Sequence, residues 1–416
     1  MVGLVDANNF YVACEQVFDG SLIGKPVGVL SNNDGCIVSR SQEMKDLGIP
    51  RGTPHFQVAD RKDLHFRSSN YALYGDMSRR IVAILSRFAP DVQPYSIDES
   101  FIEVQPTGRD PGEYAATIRK TILQWVGIPC GVGFATTRTL AKIANHIGKK
   151  LPGGVYVMPQ DPRLVLERTP VGEVWGVGRH LVEKLEKKGI RTAARLAEQD
   201  TAKLQRLYGV GLARTALELR GIPALQKEDF ETVAKSVSAS RSFGTPATML
   251  EELSESAAGH IAEAAEKLRG YRMRAAGAIV YFQVFQSYAD WAVAGAPGGT
   301  SATVLFPEPT DDTAAMLDAA TPHFAGLFQK GLRYRKTGVM LFGLESASVQ
   351  RMDLFQDHAA SEARSGLYRA VDALNTRFGR RTVFTLAEGI DRPWQMKREF
   401  LSPAWTTSWA DIPRVK

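Results

Sequence analysis

The sequence predicts an α+β protein with several domains, and three observations lead to this prediction. The chain has 416 residues, which exceeds the usual size of one domain. Residues 1–165 mix short apolar strand patterns with amphipathic helical patterns, whereas residues 166–225 contain short helical segments separated by glycines. From residue 235 onward, the order strand-helix-strand-strand-helix-strand indicates a split βαβ sheet of four strands with both helices on one face.

The composition indicates a globular protein with a basic surface. Hydrophobic residues make up 44% of the chain, and no run of 18 apolar residues suggests a membrane span. The N-terminus lacks the pattern of a secretion signal, and three widely spaced cysteines indicate reduced core thiols. We therefore expect a cytoplasmic protein without a membrane partner. The formal net charge of +6 is compatible with a polyanionic partner.

The first predicted element is a buried strand over residues 1–5, which places Asp6 at its carboxyl end. A helix is expected to begin near Asn8, because apolar side chains recur at helical spacing after it. Taken alone, Asp6 is explained equally well as a helix-capping residue.

A second acidic segment, Asp98 and Glu99, lies between two predicted strands at residues 92–97 and 101–104. Neighbouring residues of a regular strand point to opposite faces, so both carboxylates can serve one centre only at a turn, a bulge or a strand end. The pattern therefore predicts a hairpin tip. Taken alone, such a tip is also explained as a solvated acidic turn.

The two acidic segments together suggest a metal centre. Magnesium prefers oxygen ligands and is commonly held by one or two carboxylates plus substrate phosphates. Two such ions about 4 Å apart can stabilise both the attacking and the leaving oxygen of an in-line displacement. Asp6, Asp98 and Glu99 are therefore the candidate ligands of a phosphoryl-transfer site.

Two lysines are candidate contacts for a triphosphate. Lys45 follows two short predicted strands, 27–30 and 37–39, which flank a hairpin signal at residues 33–35. Lys149 ends a helix that follows the predicted strand 131–134 and is capped by Thr136 or Thr137. Lysine neutralises phosphate as a mobile point charge, but a cation at a helix C-terminus also has a purely structural explanation.

The middle region contains two glycine turns, at Gly176 with Gly178 and at Gly209 with Gly211, each before a predicted helix. Glycine lets the backbone approach a phosphate closely, and the free N–H groups of the following helix favour an anion. One such turn alone is usually a simple connection between helices. Two of them, with Arg179 after the first, indicate helix-hairpin-helix contacts to a nucleic acid backbone.

Basic side chains cluster in the next domain. One group flanks the strand that starts near residue 277, and another precedes the last strand; they comprise Lys267, Arg269, Arg272 and Arg274, and Lys330, Arg333, Arg335 and Lys336. If both groups border one sheet face, they form a surface that follows DNA phosphates and binds more weakly as salt rises. Charge runs of this kind are also commonly just solvated faces.

These segments together resemble Y-family, translesion-type DNA polymerases, and the resemblance extends over nearly the whole chain. The segments that carry it include Asp6-Ala7-Asn8-Asn9-Phe10-Tyr11, Leu30-Ser31-Asn32-Asn33-Asp34-Gly35-Cys36, Tyr95-Ser96-Ile97-Asp98-Glu99, Thr139-Leu140-Ala141-Lys142, Val174-Trp175-Gly176-Val177-Gly178-Arg179, Ser240-Arg241-Ser242-Phe243-Gly244 and Leu401-Ser402-Pro403.

The resemblance implies a right-hand polymerase with a ferredoxin-like palm, small fingers, a helical thumb with helix-hairpin-helix turns and a split βαβ little finger. It implies these boundaries: palm at 1–24 and 79–165, fingers at 25–78, thumb at 166–231, little finger at 236–345, and a tail at 346–416 for clamp and accessory proteins. The implied activity is error-prone DNA-directed DNA synthesis in the SOS damage response, on damaged primer-template DNA with deoxynucleoside triphosphates.

The resemblance also implies roles for single residues. Asp6, Asp98 and Glu99 correspond to the catalytic acids, which with the backbone carbonyl of Ala7 hold two Mg²⁺ ions, with Mn²⁺ as a substitute. Tyr11 corresponds to the steric gate against ribonucleotides, although without that neighbourhood it would be interpreted as a helix-surface aromatic. The other implied contacts are Phe10, Tyr11, Lys45 and Lys149 for the triphosphate, and Gly176, Gly178, Arg179, Gly209, Gly211, Arg241, Arg333, Arg335 and Lys336 for DNA.

Near the C-terminus the chain departs from the family pattern. Leu354 and Phe355 keep the apolar anchors of a sliding-clamp motif, but Arg351, followed by Met352, stands where relatives carry glutamine. We still expect clamp binding here. The tail from Gly389 resembles a region specific to one branch of the family, which implies a UmuD-type accessory protein and RecA as partners.

Two other functions fit part of the sequence. A nucleotide cyclase also pairs carboxylates on two metals in a palm-like core, but it has no use for the glycine turns or for Tyr11. A non-catalytic DNA-binding scaffold would not need the intact acidic triad. The sequence therefore favours a template-directed polymerase.

Overall fold

The computed structural model describes residues 1–105, 108–225, 235–285, 298–348, 358–392 and 394–413. The chain forms two compact units, Met1–Thr232 with Glu399–Lys416, and Val233–Arg398. Each unit contains its own apolar core.

The first unit contains strands and helices that alternate along the chain. In order they are β1 (Val2–Ala7), α1 (Phe10–Phe18), β2 (Val27–Leu30), β3 (Ile37–Arg40), α2 (Gln42–Asp46), β4 (His65–Ser68), α3 (Tyr71–Leu85), β5 (Asp91–Pro94), β6 (Glu99–Glu103), α4 (Pro111–Val126), β7 (Cys130–Ala135), α5 (Arg138–Gly148), β8 (Val155–Val157), α6 (Arg163–Arg168), α7 (Arg179–Glu186), α8 (Ala193–Ala197), α9 (Thr201–Tyr208) and α10 (Val210–Leu219).

The main sheet of this unit has the strand order β5-β6-β1-β7-β8. The central strand β1 is antiparallel to both β6 and β7, whereas β8 pairs with β7 in parallel. Because side chains alternate along a strand, Val5 and Ala7 enter the core shared with α3 and α4, while Leu4 enters the core shared with α5. Helices therefore cover both faces of the sheet.

The start of the chain confirms the predicted strand and corrects the start of the helix. Strand β1 continues through Asp6 to Ala7. Helix α1 begins at Phe10, two residues after Asn8, and its N-cap Asn9 has a left-handed backbone with φ of 49°. Asparagine tolerates this conformation better than most residues, which allows the chain to turn sharply between strand and helix.

A smaller sheet with the order β3-β2-β4 lies beside the first. The predicted antiparallel pair β2 and β3 is present, but its connection is longer than a two-residue turn. It contains a 3₁₀ turn, Asn32–Asp34, in which Asn33 and Asp34 have positive φ values of 59° and 51°. The hairpin was therefore correctly predicted, and its turn type was not.

Helices α6 to α10 follow the predicted glycine-separated pattern. Gly176 and Gly209 have φ values of 86° and 90°, which L-residues rarely adopt, so both turns require glycine. Helix α10 already begins at Val210. Gly211 therefore lies inside the helix and not in the turn, contrary to the sequence prediction.

The second unit contains four long strands and the helices that pack on them. Its elements are β9 (Ser236–Ala247), α11 (Leu250–Gly270), β10 (Met273–Val284), β11 (Gly299–Thr310), α12 (Thr313–Leu327), β12 (Tyr334–Ser346) and α13 (His358–Phe378). The strand order is β11-β10-β12-β9, with every neighbouring pair antiparallel. Strand β12 separates β9 from β10, and β10 separates β11 from β12, which confirms the split βαβ arrangement.

The predicted placement of both helices on one face is also confirmed. Val339 and Leu341 of β12 share an apolar core with residues of α11 and α12. Arg335 and Lys336 were expected to precede the last strand. They lie within it instead, because β12 already begins at Tyr334.

The C-terminal region is divided between the two units. Helix α13 belongs to the second unit and packs on α11. Its Asp372 accepts two hydrogen bonds from the guanidinium of Arg269 in α11, at 2.7 and 2.8 Å. Residues from Glu399 onward belong to the first unit. Within the described residues, no helix is long and apolar enough to cross a membrane.

Candidate active site

The sheet register brings the predicted acids together at one end of β1. Asp6 of β1 lies directly opposite Glu99 of β6. The backbone N–H of Ala7 donates to the carbonyl oxygen of Asp98 at 2.9 Å, which holds the hairpin tip against β1. Asp98 lies in the turn, as predicted, whereas Glu99 is already the first residue of β6, which begins two residues earlier than the strand expected at 101–104. Strand β5 ends at Pro94, three residues before the expected end at 97.

Each of these carboxylates has a polar partner. Lys149 Nζ lies 2.6 Å from Asp6 Oδ2, and Lys142 Nζ lies 2.9 Å from Glu99 Oε2. The Ser96 hydroxyl donates to Asp98 Oδ1 at 2.6 Å. The two lysines are seven residues apart and approach the acids from α5 and its C-cap.

Burial raises the pKa of Asp6 to about 6, Lys149 opposes that increase, and Glu99 and Asp98 add to it. Burial and two neighbouring acids disfavour the charged form of a carboxylate, and a nearby positive charge stabilises it. In this structure, the ammonium groups of Lys149 and Lys142 provide that positive charge.

The donor set has the chemistry of a site for a hard divalent cation. The side chains of Asp6, Asp98 and Glu99 and the carbonyl of Ala7 supply only oxygen ligands. Among the described residues, however, no group of three acids, histidines or cysteines is arranged around one point. Lys142 and Lys149 hold two of the carboxylates, so metal binding requires these ion pairs to open.

Two glycines of β7 allow Lys149 to reach Asp6. A Cβ at Gly131 would lie 2.8 Å from Lys149 Cγ, and a Cβ at Gly133 would overlap the backbone of Asn145 in α5. The helix therefore packs directly on the strand backbone. Asn145 secures this position by donating to the carbonyl of Leu4 at 3.2 Å.

Tyr11, the second residue of α1, lies on an aromatic platform. Its ring stacks on Tyr74 at 4.4 Å with an interplanar angle of 13°, and Tyr71 meets it edge-on at 6.2 Å. Phe10 is buried beside it, with ring centroids 6.0 Å apart. The stacked and edge-on contacts of the platform restrain the orientation of the Tyr11 ring.

Lys45 lies on the same side of the fold as the start of α1. Its Nζ donates to Asn9 Oδ1 at 2.6 Å. Burial lowers the pKa of Lys45, and the charges of Arg40 and Lys149 lower it further. These cations therefore act on one another and form a local excess of positive charge that suits an anion.

Lys142 was not predicted as a site residue from the sequence, although it lies in one of the segments that carry the family resemblance. Its Nζ lies over the ring of Tyr95 at 4.3 Å and near that of Trp175 at 5.1 Å, besides its pair with Glu99. Trp175 Nε1 donates to the Tyr95 hydroxyl at 3.1 Å, which ties the first glycine turn to the acidic hairpin. The seven-residue spacing of Lys142 and Lys149 was the available signal.

Arg179 and Gly178 are exposed at the start of α7. Lys336 lies opposite Ser242 in the sheet register, while Arg241 lies opposite the buried Thr337. Arg241 therefore points to the helix-bearing face, 3.8 Å from Glu263, and Lys336 to the opposite face.

The other basic residues of this unit do not all border one face. Arg269 is buried against Asp372, and Lys267 pairs with Glu263 on α11. Arg333 is exposed and lies 5.2 Å from the ring of Phe285, while Arg335 is half-buried. The condition for a single basic surface, that both clusters border one sheet face, is therefore not met by Lys267 and Arg269. Arg351, Met352, Leu354 and Phe355 lie outside the described residues.

Comparisons with known proteins agree with this architecture. The impB/mucB/samB family model matches residues 5–146, its C-terminal domain matches residues 234–354, and a domain of unknown function (DUF4113) matches residues 365–415. UmuC of Salmonella typhimurium is 40% identical over the full length of both chains. DNA polymerase IV of Oceanobacillus iheyensis is 32% identical over 52% of this chain and 53% of its own.

A solved Y-family DNA polymerase chimera (Dbh-Dpo4-Dbh) shares the fold, with a TM-score of 0.62, 19% identity, and coverage of 83% of this chain and 99% of its own. The chain therefore has the fold of a Y-family DNA polymerase, and DNA polymerases of this class generally need divalent metal ions. Within that class, the chain belongs to the impB/mucB/samB family.

Proposed function

We propose that this chain is a template-directed DNA polymerase that adds deoxynucleotides to a primer 3′-OH. It is an error-prone, translesion-type enzyme of the SOS damage response, as befits its family. The observation that carries the proposal is the register of Asp6 with Glu99, beside Asp98 and the Tyr11 platform.

Two Mg²⁺ ions, for which Mn²⁺ can substitute, would supply charge stabilisation for the attack of the 3′-OH on the α-phosphate. Asp6, Asp98 and Glu99, with the carbonyl of Ala7, would hold them. Lys149 and Lys142 keep the carboxylates of Asp6 and Glu99 paired beforehand, and the Ser96 hydroxyl holds that of Asp98. The protein contributes mainly by positioning reactants and stabilising charge.

The nucleotide lies between α1 and the lysines in this proposal. Lys45 and Lys149 bind the triphosphate, and each is already held close to its position by a hydrogen bond or ion pair. The ring of Tyr11, with Phe10 beside it, occupies the space that a ribose 2′-OH would need. Stacking on Tyr74 keeps that ring from rotating away.

The remaining contacts involve DNA and other proteins. The glycine turns at 176–178 and 209–211, with Arg179, bind the DNA backbone. The second unit supplies separate candidate DNA contacts, namely Arg333, Arg335 and Lys336, and Arg241 on the helix-bearing face. The clamp motif at 351–355 recruits a sliding clamp, and the tail binds a UmuD-type protein and responds to RecA. The three cysteines are unpaired, which supports a reducing cytoplasm.

The decisive experiment compares Asp98→Ala with the wild-type chain in primer extension and in primer-template binding. We expect loss of extension with DNA affinity nearly unchanged, because the carboxylate acts on the reaction and not on the duplex. Asp161→Ala, at an exposed acid, is the matched control.

Three outcomes would contradict the proposal. If Asp98→Ala still extends the primer, Asp98 does not take part in the reaction. Nucleotide consumption without primer indicates a cyclase. A wild-type chain that binds DNA but extends nothing, with or without accessory proteins, indicates a scaffold.

A further inference from the structure

The C-terminal segment of the first unit lies behind the Tyr11 platform. This segment, which we call the strap, comprises residues 399–405 and begins where the chain leaves the second unit. It lies within the region matched by the domain of unknown function. Its contacts reach both helices that carry the platform.

Ser402 is the central residue of these contacts. It is 6% exposed, and its hydroxyl donates to Glu15 Oε1 of α1 at 3.2 Å. The same hydroxyl accepts from Asn70 Nδ2 at 3.0 Å. Asn70 in turn caps α3, since its Oδ1 accepts from the N–H of Leu73 at 3.3 Å.

Glu15 connects the strap to the stacked tyrosine. The hydroxyl of the fully buried Tyr74 donates to the same Oε1 of Glu15 at 2.7 Å. Glu15 Oε2 has no hydrogen-bond partner among the residues that the structure describes, so the carboxyl depends on Tyr74 and Ser402 for its direct hydrogen bonds. A buried polar group that loses a partner destabilises its position strongly.

Further contacts keep the strap in place on both sides of Ser402. Phe400 exchanges two hydrogen bonds with Ser68, each 3.0 Å long, at the end of β4. The ring of Trp405 stacks on Phe18 of α1, with centroids 5.2 Å apart. The strap is therefore anchored independently of Ser402, and replacement of that one hydroxyl should not release it.

We propose that Ser402 is a positioning residue for ribose discrimination, which acts through Glu15 and Tyr74 on the orientation of Tyr11. The inference rests on the proposed polymerase activity and on the gate role of Tyr11. It assigns to the strap a part in substrate selection by the active site, in addition to any binding of partners by the tail.

The test measures kcat/KM for a deoxynucleotide and for the matching ribonucleotide in primer extension by the full chain. Ser402→Ala should lower the ratio of the two about fivefold, as expected for one lost buried hydrogen bond. Ser402→Thr, which keeps the hydroxyl, should restore the ratio. Thr407→Ala, at an exposed tail hydroxyl, should leave it unchanged.

A double-mutant cycle tests whether Ser402 acts on Tyr11 through Glu15 and Tyr74. Tyr74→Phe keeps the stacked ring and removes the hydroxyl that Glu15 accepts from, so it should lower the ratio as well. Addition of Ser402→Ala to Tyr74→Phe should then have little further effect. Additive effects would show that Ser402 acts by another route and would overturn the proposal.

The remaining outcomes separate this inference from the proposed function. An unchanged ratio in Ser402→Ala, or an equal fall in kcat/KM for both nucleotides, would overturn the inference alone. A wild-type chain that extends no primer, or a Tyr11→Ala variant with unchanged ribose preference, would overturn the activity or the gate role and with it this inference.

Discussion

The carboxylate of Asp6 is subject to two opposing influences, since burial disfavours its charge and Lys149 favours it. Glu99 and Lys142 form a second pair at the same corner. The lysines thus hold the acids in register in the protein alone. In the proposed mechanism, metal ions would replace these lysines at the carboxylates, which would leave the lysine ammonium groups available for phosphate oxygens.

At the residue scale, Tyr11→Ala should raise ribonucleotide incorporation by at least tenfold, because it removes the ring that occupies the space of the 2′-OH. Incorporation of each nucleotide into a primer, quantified in separate reactions, measures this. Phe56→Ala removes an exposed aromatic ring elsewhere and is the control. If the ribose preference stays the same, Tyr11 is not the gate.

Asp6 and Glu99 could be located from the sequence because each adjoins a recognisable strand boundary, whereas Tyr11 was identified only through the family resemblance. Sequence reasoning missed the functional contacts of Lys142 and Ser402. Lys142 meets Glu99 across 43 positions, and Ser402 meets Glu15 across 387. Such contacts depend on how distant elements pack, which no local pattern encodes.

At the element scale, the packing of α5 on β7 decides where Lys149 lies. Gly133→Ala should destabilise the first unit by about 1–3 kcal/mol or more, because the added methyl overlaps the helix backbone. Chemical denaturation measures this change. Gly153→Ala, whose Cβ meets nothing within 4 Å, is the control. Equal stability of the two variants would contradict this account of the packing.

A buried histidine in α11 should make the stability of the second unit depend on pH. Burial lowers the pKa of His260 in α11 to about 4. The charge of Glu263 opposes this decrease in the pKa, while Arg241, Lys267 and Lys336 add to it. The unfolded chain therefore binds a proton that the folded chain does not, so stability is complete above about pH 6.5 and falls as the pH approaches 4.

His260→Gln should remove much of this acid sensitivity, which amounts to about 3 kcal/mol between those pH values. Denaturation midpoints measured from pH 7 to pH 4 test the expectation. His323→Gln, at an exposed histidine of the same unit, is the control. A wild-type-like pH profile in His260→Gln would show that another group causes the loss.

The elements themselves were largely predictable. The hydrophobic periodicity of the second unit gave all four strands and both helices of its sheet, since long alternating strands carry a strong signal. Turn details were not predictable in the same way. Gly211 was assigned to a turn because Gly-x-Gly patterns suit turns, whereas one positive φ at Gly209 suffices and the helix begins directly after it.

At the scale of the whole molecule, the net charge of +6 predicts salt-dependent DNA binding. Lys336→Ala should reduce the slope of log affinity against log salt by about 1, because one phosphate contact is lost. Fluorescence anisotropy with primer-template DNA measures it. Arg163→Ala, at an exposed cation of α6, should leave the slope unchanged. If wild type and Lys336→Ala have equal slopes, Lys336 does not contact a DNA phosphate.

The strap also has a consequence for biosynthesis. Ser402 and Glu15 are separated by 387 positions, yet they share one hydrogen bond within the first unit. At about 5–20 residues per second, roughly 20–80 s separate the synthesis of α1 from that of its last buried partner. Until then, Tyr74 is the one hydrogen-bond partner of the Glu15 side chain among the residues that the structure describes. The first unit therefore reaches its final packing only after the strap has been synthesised, although its sheet is made first.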